Sequence, residues 1–246
     1  MDNSLTKIII LAAGRGSRLG KHTQEVPKTL LKIGTTNCFE HQLEIYQSLG
    51  YQNINVVTGF GSNKFSKYKN VKNIYNSSWY NSNILTSLLI GLENTNLYTT
   101  LISYSDIIFE KKAIRLIEKS NYDISILYDL NFLRYWRMRN SEPLDDLESF
   151  KIHSDGRIYD IGEKPLILSE IEGQYMGILK ITPKGWIDLL DYINQEKITK
   201  VNNLSITEFL NGFIKKGGNV YGIGFRGRWC EIDTYSDLVI ARELFS

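Results

Sequence analysis

The sequence predicts an α/β fold: a mostly parallel, mixed central sheet with helices on both faces and a small β lid. Three observations lead there. In the first half, apolar runs of strand length alternate with segments of helical period. The first of these runs, residues 7–11 (K-I-I-I-L), opens directly into a glycine-bearing loop. And 246 residues with 42% hydrophobic content can bury a full core without staples. The expected organisation is one domain over 1–246, with a first part to about 120, a second part with the lid over about 121–233, and a C-terminal helix over 234–246.

The elements follow in order. Strand 7–11 is followed by a helix over 37–49, where Asn37 and Glu40 have capping-box spacing and Gly50 is the stop. A second strand over 54–58 ends at Gly59. Residues 84–92 read as a helix, 101–105 as a strand ending at Asp106, and 111–119 as the helix after it. In the second half, 149–153 and 157–161 flank Ser154-Asp155-Gly156, a hairpin signal. Residues 174–181 read as a strand. Thr182 caps a helix with Pro183 at its first position. Ser205 and Glu208 form a capping box for a helix closed by Gly217-Gly218. A short strand covers 229–233, and Thr234 and Asp237 cap the last helix.

Composition narrows the function. Twenty-nine Lys and Arg against 27 Asp and Glu leave a net charge of +2, which gives no electrostatic reason to expect a nucleic-acid or membrane-surface partner. The N-terminal residues are polar, and the apolar run 8–13 is too short for a signal core or a membrane span. Cys38 and Cys230 cannot build a disulfide framework and lack zinc spacing. Free thiols suit a reducing, cytoplasmic setting.

The most informative stretch is Leu11-Ala12-Ala13-Gly14-Arg15-Gly16-Ser17-Arg18-Leu19, followed by Pro27-Lys28-Thr29-Leu30. Small residues at a strand end let a ligand approach the backbone, and successive N–H groups there can wrap a phosphate. Arg18 and Lys28 add positive charge suited to a triphosphate. Three other glycine loops fail here. A Walker loop needs Ser or Thr where His22 stands and Gly where Arg15 stands. A dinucleotide fingerprint needs Gly at Leu19 and an acid where the second strand ends in Thr58-Gly59-Phe60. The Val-Ala-Ile-Lys strand of a kinase is absent.

The loop resembles the signature of the sugar-nucleotidyltransferase superfamily, Leu-Ala-Ala-Gly-x-Gly-x-Arg-Leu then Pro-Lys-x-Leu, at all ten named positions. The resemblance implies a Rossmann-like three-layer nucleotidyltransferase fold and a Mg²⁺-dependent reaction. Leu11, Ala12, Ala13, Gly14 and Gly16 would bind nucleotide, with Thr58 and Gly59 on the base side and Ser105 at the third strand's end. It implies that Asp106 and a late aspartate, matched by Asp233, hold the metal. Glu231, two residues from Asp233 on the same strand face, is the fallback ligand. A metal-dependent glycosyltransferase would show Asp-x-Asp at the first site, but Tyr104 stands where its first Asp belongs.

Residues 83–88 (N-I-L-T-S-L) resemble a stretch of the phosphocholine cytidylyltransferases, which implies Asn83 and Ser87 near the pyrimidine. Glu163-Lys164-Pro165 is similar to the superfamily's Glu-Lys-Pro, whose lysine contacts acceptor phosphate. The implied mechanism is attack of an acceptor phosphate on the α-phosphorus of CTP, with Arg18, Lys28 and Lys164 as catalytic cations. Residues 143–151 and 173–177 resemble relatives associated with capsule phosphoramidate synthesis. There the implied acceptor is L-glutamine phosphate and the product a CDP conjugate. Arg134, Arg137 and Arg139 suit an acceptor carboxylate. A phosphocholine acceptor would instead want an aromatic cage, which Trp136, Tyr175 and Trp229 could supply. An aminoalkylphosphonate or hexose 1-phosphate acceptor, and a non-catalytic nucleotide-binding subunit, are the remaining alternatives. The partners expected are CTP and a small phosphorylated acceptor, in a monomer or homodimer.

Overall fold

A computed structural model describes residues 6–92, 98–198 and 203–245. Thirteen strands are found among them: β1 (Thr6–Ala12), β2 (Lys32–Ile33), β3 (Thr36–Asn37), β4 (Ile54–Thr58), β5 (Lys72–Tyr75), β6 (Thr99–Tyr104), β7 (Ile107–Phe109), β8 (Ile124–Asp129), β9 (Phe150–Ile152), β10 (Ile158–Ile161), β11 (Gln174–Ile181), β12 (Tyr221–Phe225) and β13 (Trp229–Glu231). The described α-helices are α1 (Cys38–Ser48), α2 (Ile84–Leu92), α3 (Lys112–Glu118), α4 (Phe132–Arg139), α5 (Pro183–Gln195), α6 (Ile206–Lys215) and α7 (Tyr235–Phe245).

Seven strands form the central sheet in the order β12-β8-β11-β6-β1-β4-β5. All pairings are parallel except those of β11, which runs against both β6 and β8. The sheet is therefore the mixed, mostly parallel one expected. β1 shows why it is central. Ile8, Ile10 and Ala12 enter one core with Phe39 and Tyr46, while Ile9 and Leu11 enter the other with Leu85 and Leu88. Alternate side chains feed opposite layers, so both faces of the strand are apolar and the run reads as continuous.

The caps are largely those the sequence encodes. The Asn37 side chain accepts the Glu40 N–H, Thr182 accepts that of Gly185, and Ser205 with Glu208 makes both bonds of a capping box. At Asn37 the cap is one-sided in the bonds found, because the Glu40 carboxylate accepts from Tyr68 Oη at 2.7 Å.

The differences lie where pattern is weak. β5 (K-N-I-Y) is a polar edge strand, and β12 (Y-G-I-G-F) carries two glycines, so neither has a period-2 signature. β8 and α4 lie in the stretch between 119 and 149, where the sequence predicts no element. The segment after Asp106 begins as strand β7 rather than running straight into a helix. β7 pairs antiparallel with β13, outside the main sheet. The β9–β10 hairpin sits on α6, with Phe150, Ile158 and Ile161 packed among Ile206, Phe209 and Phe213. Among the described residues no helix is long and apolar enough to cross a membrane.

Candidate active site

In a mostly parallel sheet the carboxyl ends of the strands present their loops to one edge, where ligands bind. β1 ends at Ala12, in register with Thr58 of β4. The chain then turns through Gly16, whose φ of +80° only glycine adopts without strain. Arg15 secures the loop by donating from Nε to the Thr23 carbonyl at 3.0 Å, and Thr23 Oγ1 donates to the Gly16 carbonyl at 2.9 Å. The Lys28 N–H reaches the Arg15 carbonyl at 3.3 Å. Thr29 Oγ1 donates to the Ser105 carbonyl at 2.6 Å. The Pro-Lys-Thr-Leu segment is thereby pinned between the glycine loop and the end of β6.

That pinning delivers Lys28. Its ammonium stands 2.6 Å from Asp106 Oδ2 and 2.6 Å from Asp233 Oδ1. The two carboxylate oxygens can therefore be no farther apart than twice that distance. Asp106 and Asp233 are 127 positions apart in sequence and are joined through the backbone as well, the Ile232 N–H donating to the Asp106 carbonyl at 2.9 Å. Arg18 Nη2 lies 2.8 Å from the same Asp233 oxygen. Burial works against the charge of Lys28, yet Asp106 and Asp233 outweigh it and raise its pKa above the ordinary lysine value. Burial likewise opposes ionisation of Asp233, but Lys28, Arg18 and Arg139 hold its pKa below the usual carboxylate range. For Glu231 burial wins, helped by Asp233 and Asp106, and its pKa is pushed up to about 7 despite Arg139.

A cleft of about 300 Å³ opens beside this cluster, lined by Leu11, Ala13, Gly14, Gly16, Arg18, Lys28, Asn83, Ser87, Ser105 and Asp106 from the sequence-derived set. Ser17, Trp79, Ser82 and Ile84 complete it. Ser17 occupies a variable position of the loop motif, which is why the motif did not single it out. Trp79 and Ser82 stand just before the α2 motif and carry no motif signal themselves. A larger cavity of about 580 Å³ lies between α5, α6 and the start of β12. It holds none of the loop residues, so its size does not make it the reaction site.

Several expected site residues are placed elsewhere. Ala12 is buried in the strand and lines no cleft. The Thr58 hydroxyl donates to Asn73 Oδ1 at 2.6 Å, inside the sheet edge. Gly59 backs the cleft wall rather than lining it, since a Cβ there would fall 2.3 Å from Trp79 Cβ. Lys164 does not join the cationic cluster: its ammonium donates to the carbonyls of Leu144 and Asp145 at 2.5 and 2.7 Å. Arg134, Arg137 and Arg139 do not form one basic face. The first two are exposed, whereas the Arg139 guanidinium is buried against Glu231 and Asp237. Trp229 is core, its indole N–H donating to the Met176 carbonyl at 3.1 Å and its ring stacked on buried Trp136. Neither tryptophan is free to cage a cation. Tyr175 packs edge-on to Tyr104 at 5.7 Å, outside the cleft lining.

Among the described residues no group of three or more His, Cys, Asp and Glu has the geometry to hold a metal. A Mg²⁺-type site asks for less, one or two carboxylates with the rest of the shell from phosphates and water. The hard oxygens of Asp106 and Asp233 converge on one cation, here the Lys28 ammonium, and that donor set fits such an ion.

Known proteins resemble this chain in sequence and in fold. A family profile described as the MobA-like NTP transferase domain matches residues 8–130. The chain is 29% identical to the CTP:phosphoglutamine cytidylyltransferase of Campylobacter jejuni over 252 aligned residues, covering 96% of this chain and 98% of that one. It is 29% identical to the choline-phosphate cytidylyltransferase of Streptococcus pneumoniae over 120 residues, 47% of this chain and 52% of the other. The solved inositol-1-phosphate CTP transferase of T. maritima superposes with a TM-score of 0.78 at 17% identity, covering 98% of this chain and 95% of that one.

Proposed function

The chain belongs to the MobA-like NTP transferase family and is an enzyme of the nucleotidyltransferase type, and from that premise we propose that it moves CMP from CTP to a small phosphorylated acceptor, releasing pyrophosphate. The observation that carries this is the meeting of Arg18, Lys28, Asp106 and Asp233 at the mouth of the glycine-loop cleft. These are two cations that would meet phosphate charge and two carboxylates that would hold the metal bound to it.

The acceptor's phosphate is already anionic at neutral pH, so its oxygen attacks the α-phosphorus without a general base. The protein's work is alignment and charge balance. Backbone groups of Leu11, Ala13, Gly14 and Gly16 cradle the nucleotide, with Asn83 and Ser87 on the cleft wall beside the base. Lys28 binds phosphate oxygens around the α-phosphorus, and Arg18 stabilises the departing pyrophosphate. Asp106 and Asp233 would hold Mg²⁺, which supplies Lewis-acid neutralisation of the phosphates when bound. For the ammonium to serve phosphate, Lys28 must leave at least one of its carboxylates.

The acceptor we favour is L-glutamine phosphate, giving CDP-L-glutamine for capsule phosphoramidate synthesis. Its support is the similarity to a CTP:phosphoglutamine cytidylyltransferase along nearly the whole of both chains. The burial of Trp136 and Trp229 removes two of the three aromatics of a phosphocholine cage. Exposed Arg134 and Arg137 remain as carboxylate partners. Lys164 would join the acceptor phosphate by releasing the Leu144 and Asp145 carbonyls. Two buried, unpaired thiols, Cys38 and Cys230, support a reducing, cytoplasmic setting.

The test is pyrophosphate release with Mg²⁺, crossing four NTPs with L-glutamine phosphate, phosphocholine, 2-aminoethylphosphonate and glucose 1-phosphate. The expected result is turnover with CTP and L-glutamine phosphate at least tenfold above any other pair. Nucleotide binding without release for any acceptor would favour a binding subunit.

A further inference from the structure

Arg139 ends α4 with a side chain only 6% exposed. Its guanidinium forks onto Asp237, Nε to Oδ1 at 2.9 Å and Nη2 to Oδ2 at 3.4 Å. Nη1 donates to Glu231 Oε1 and lies 3.3 Å from Asp146 Oδ2. Nη2 is 3.8 Å from Asp233 Oδ2. The same helix holds the strand bearing these acids a second time: Tyr135 Oη donates to the Glu231 carbonyl at 2.7 Å and accepts the Glu231 N–H at 3.0 Å. Asp237, the target of the fork, accepts the N–H groups of Asp233 and Thr234 at 3.0 and 2.8 Å.

These bonds divide Asp233 in two. Oδ1 faces Lys28 and Arg18, while Oδ2 faces Arg139. Glu231, two residues earlier, is turned to Arg139 instead. An arginine buried among four acids is costly to assemble and holds its geometry only when its donors are used.

We infer that Arg139 is a positioning residue: through Asp237 and Oδ2 it fixes the direction in which Asp233 presents Oδ1 to the cation site, and it keeps Glu231 out of that site. This rests on the reading of Asp106 and Asp233 as the metal pair. It differs from a simple counter-ion role in sign. Deleting a positive charge beside two carboxylates strengthens their attraction for a cation, whereas deleting a positioning contact weakens binding, about 10- to 100-fold for outer partners of a metal ligand.

The experiment measures CTP affinity with Mn²⁺ and in EDTA, without acceptor, for wild type, Arg139→Ala and Arg139→Lys, reading the Mn²⁺ complex by water-proton relaxation. The coupling between metal and nucleotide should fall about 10- to 100-fold in Arg139→Ala. It should fall severalfold in Arg139→Lys, which keeps the charge but loses the fork. CTP affinity in EDTA should stay within about threefold of wild type, which a general loss of structure would not allow. Unchanged or stronger coupling in Arg139→Ala, or wild-type coupling in Arg139→Lys, overturns the inference. Should Arg139→Ala fail to fold, Arg139→Lys decides by the same measure. A wild type whose CTP affinity ignores Mn²⁺ would instead sink the metal pair itself, and this inference with it.

Discussion

A Cβ on Gly16 would lie 2.6 Å from the Cβ of Lys28. The missing methyl group of one residue is the space through which the side chain of the other reaches Asp106 and Asp233. Gly16→Ala would add a left-handed backbone to this collision, so a loss of about 1–3 kcal/mol is expected in urea unfolding. Turnover should fall more than tenfold (the ammonium being displaced). An alanine variant with wild-type stability would show that the loop relaxes freely.

Removing the ammonium exposes the cost of the pair it bridges. Lys28→Met leaves two mostly buried carboxylates facing each other, and breaking a buried ion pair in this way costs about 3–5 kcal/mol. Millimolar Mg²⁺ should raise the melting temperature of this variant by more than it raises that of wild type, since a metal held by the two proposed ligands would take the vacated charge position. Equal shifts would argue against a shared cation site. Turnover should drop by about 10²–10³.

The role proposed for Arg18 predicts a loss of catalysis without a loss of stability. Its side chain is 65% exposed, so its ion pair with Asp233 is screened by water. Arg18→Ala should change unfolding free energy by less than about 1 kcal/mol. It should lower kcat about 10²–10³-fold through the lost partner of the leaving pyrophosphate. A kcat close to wild type would remove Arg18 from the mechanism.

Asp129, at the end of β8, carries a pH dependence of stability. Burial pushes its pKa up to about 6, against the Asn131 N–H it accepts and the charge of Arg226. The folded state therefore favours the protonated acid. Its contribution is complete below the unfolded value near 4 and is lost as pH rises through about 6. Asp129→Asn, which keeps an acceptor for Asn131, should be more stable than wild type at pH 8 by on the order of 1–3 kcal/mol. The gap should close towards pH 4. Urea titrations at the two pH values would contradict this if the difference were constant.

The parts of this molecule that sequence made legible are those whose causes are local. Ile8 to Leu11 announce a strand covered on both sides, because alternate residues meet different cores. Asn37, Thr182 and Ser205 announce helix starts, because a short polar side chain reaches an N–H three residues on. Gly16 announces a left-handed turn. The loop motif with Lys28 pointed to residues that line one cleft, and the strand-end position of Asp106 pointed to an acid on the same cleft.

The sequence by itself determined the layered α/β class, the place of the glycine loop at the end of the first strand and the identity of the charged residues around it. Tertiary structure alone decided which of those charges meet. Arg139 looked like part of a basic face with Arg134 and Arg137, but its acids Glu231 and Asp237 lie 92 and 98 residues along the chain. Trp229 looked available to a ligand, and strand pairing with β7 buried it. Lys164 looked like a phosphate contact, and the neighbouring carbonyls of 144–145 hold it. The physical reason is range. Period, caps and backbone strain act within a few residues, whereas an ion pair depends on distance in space, which only the packed sheet and its crossovers set.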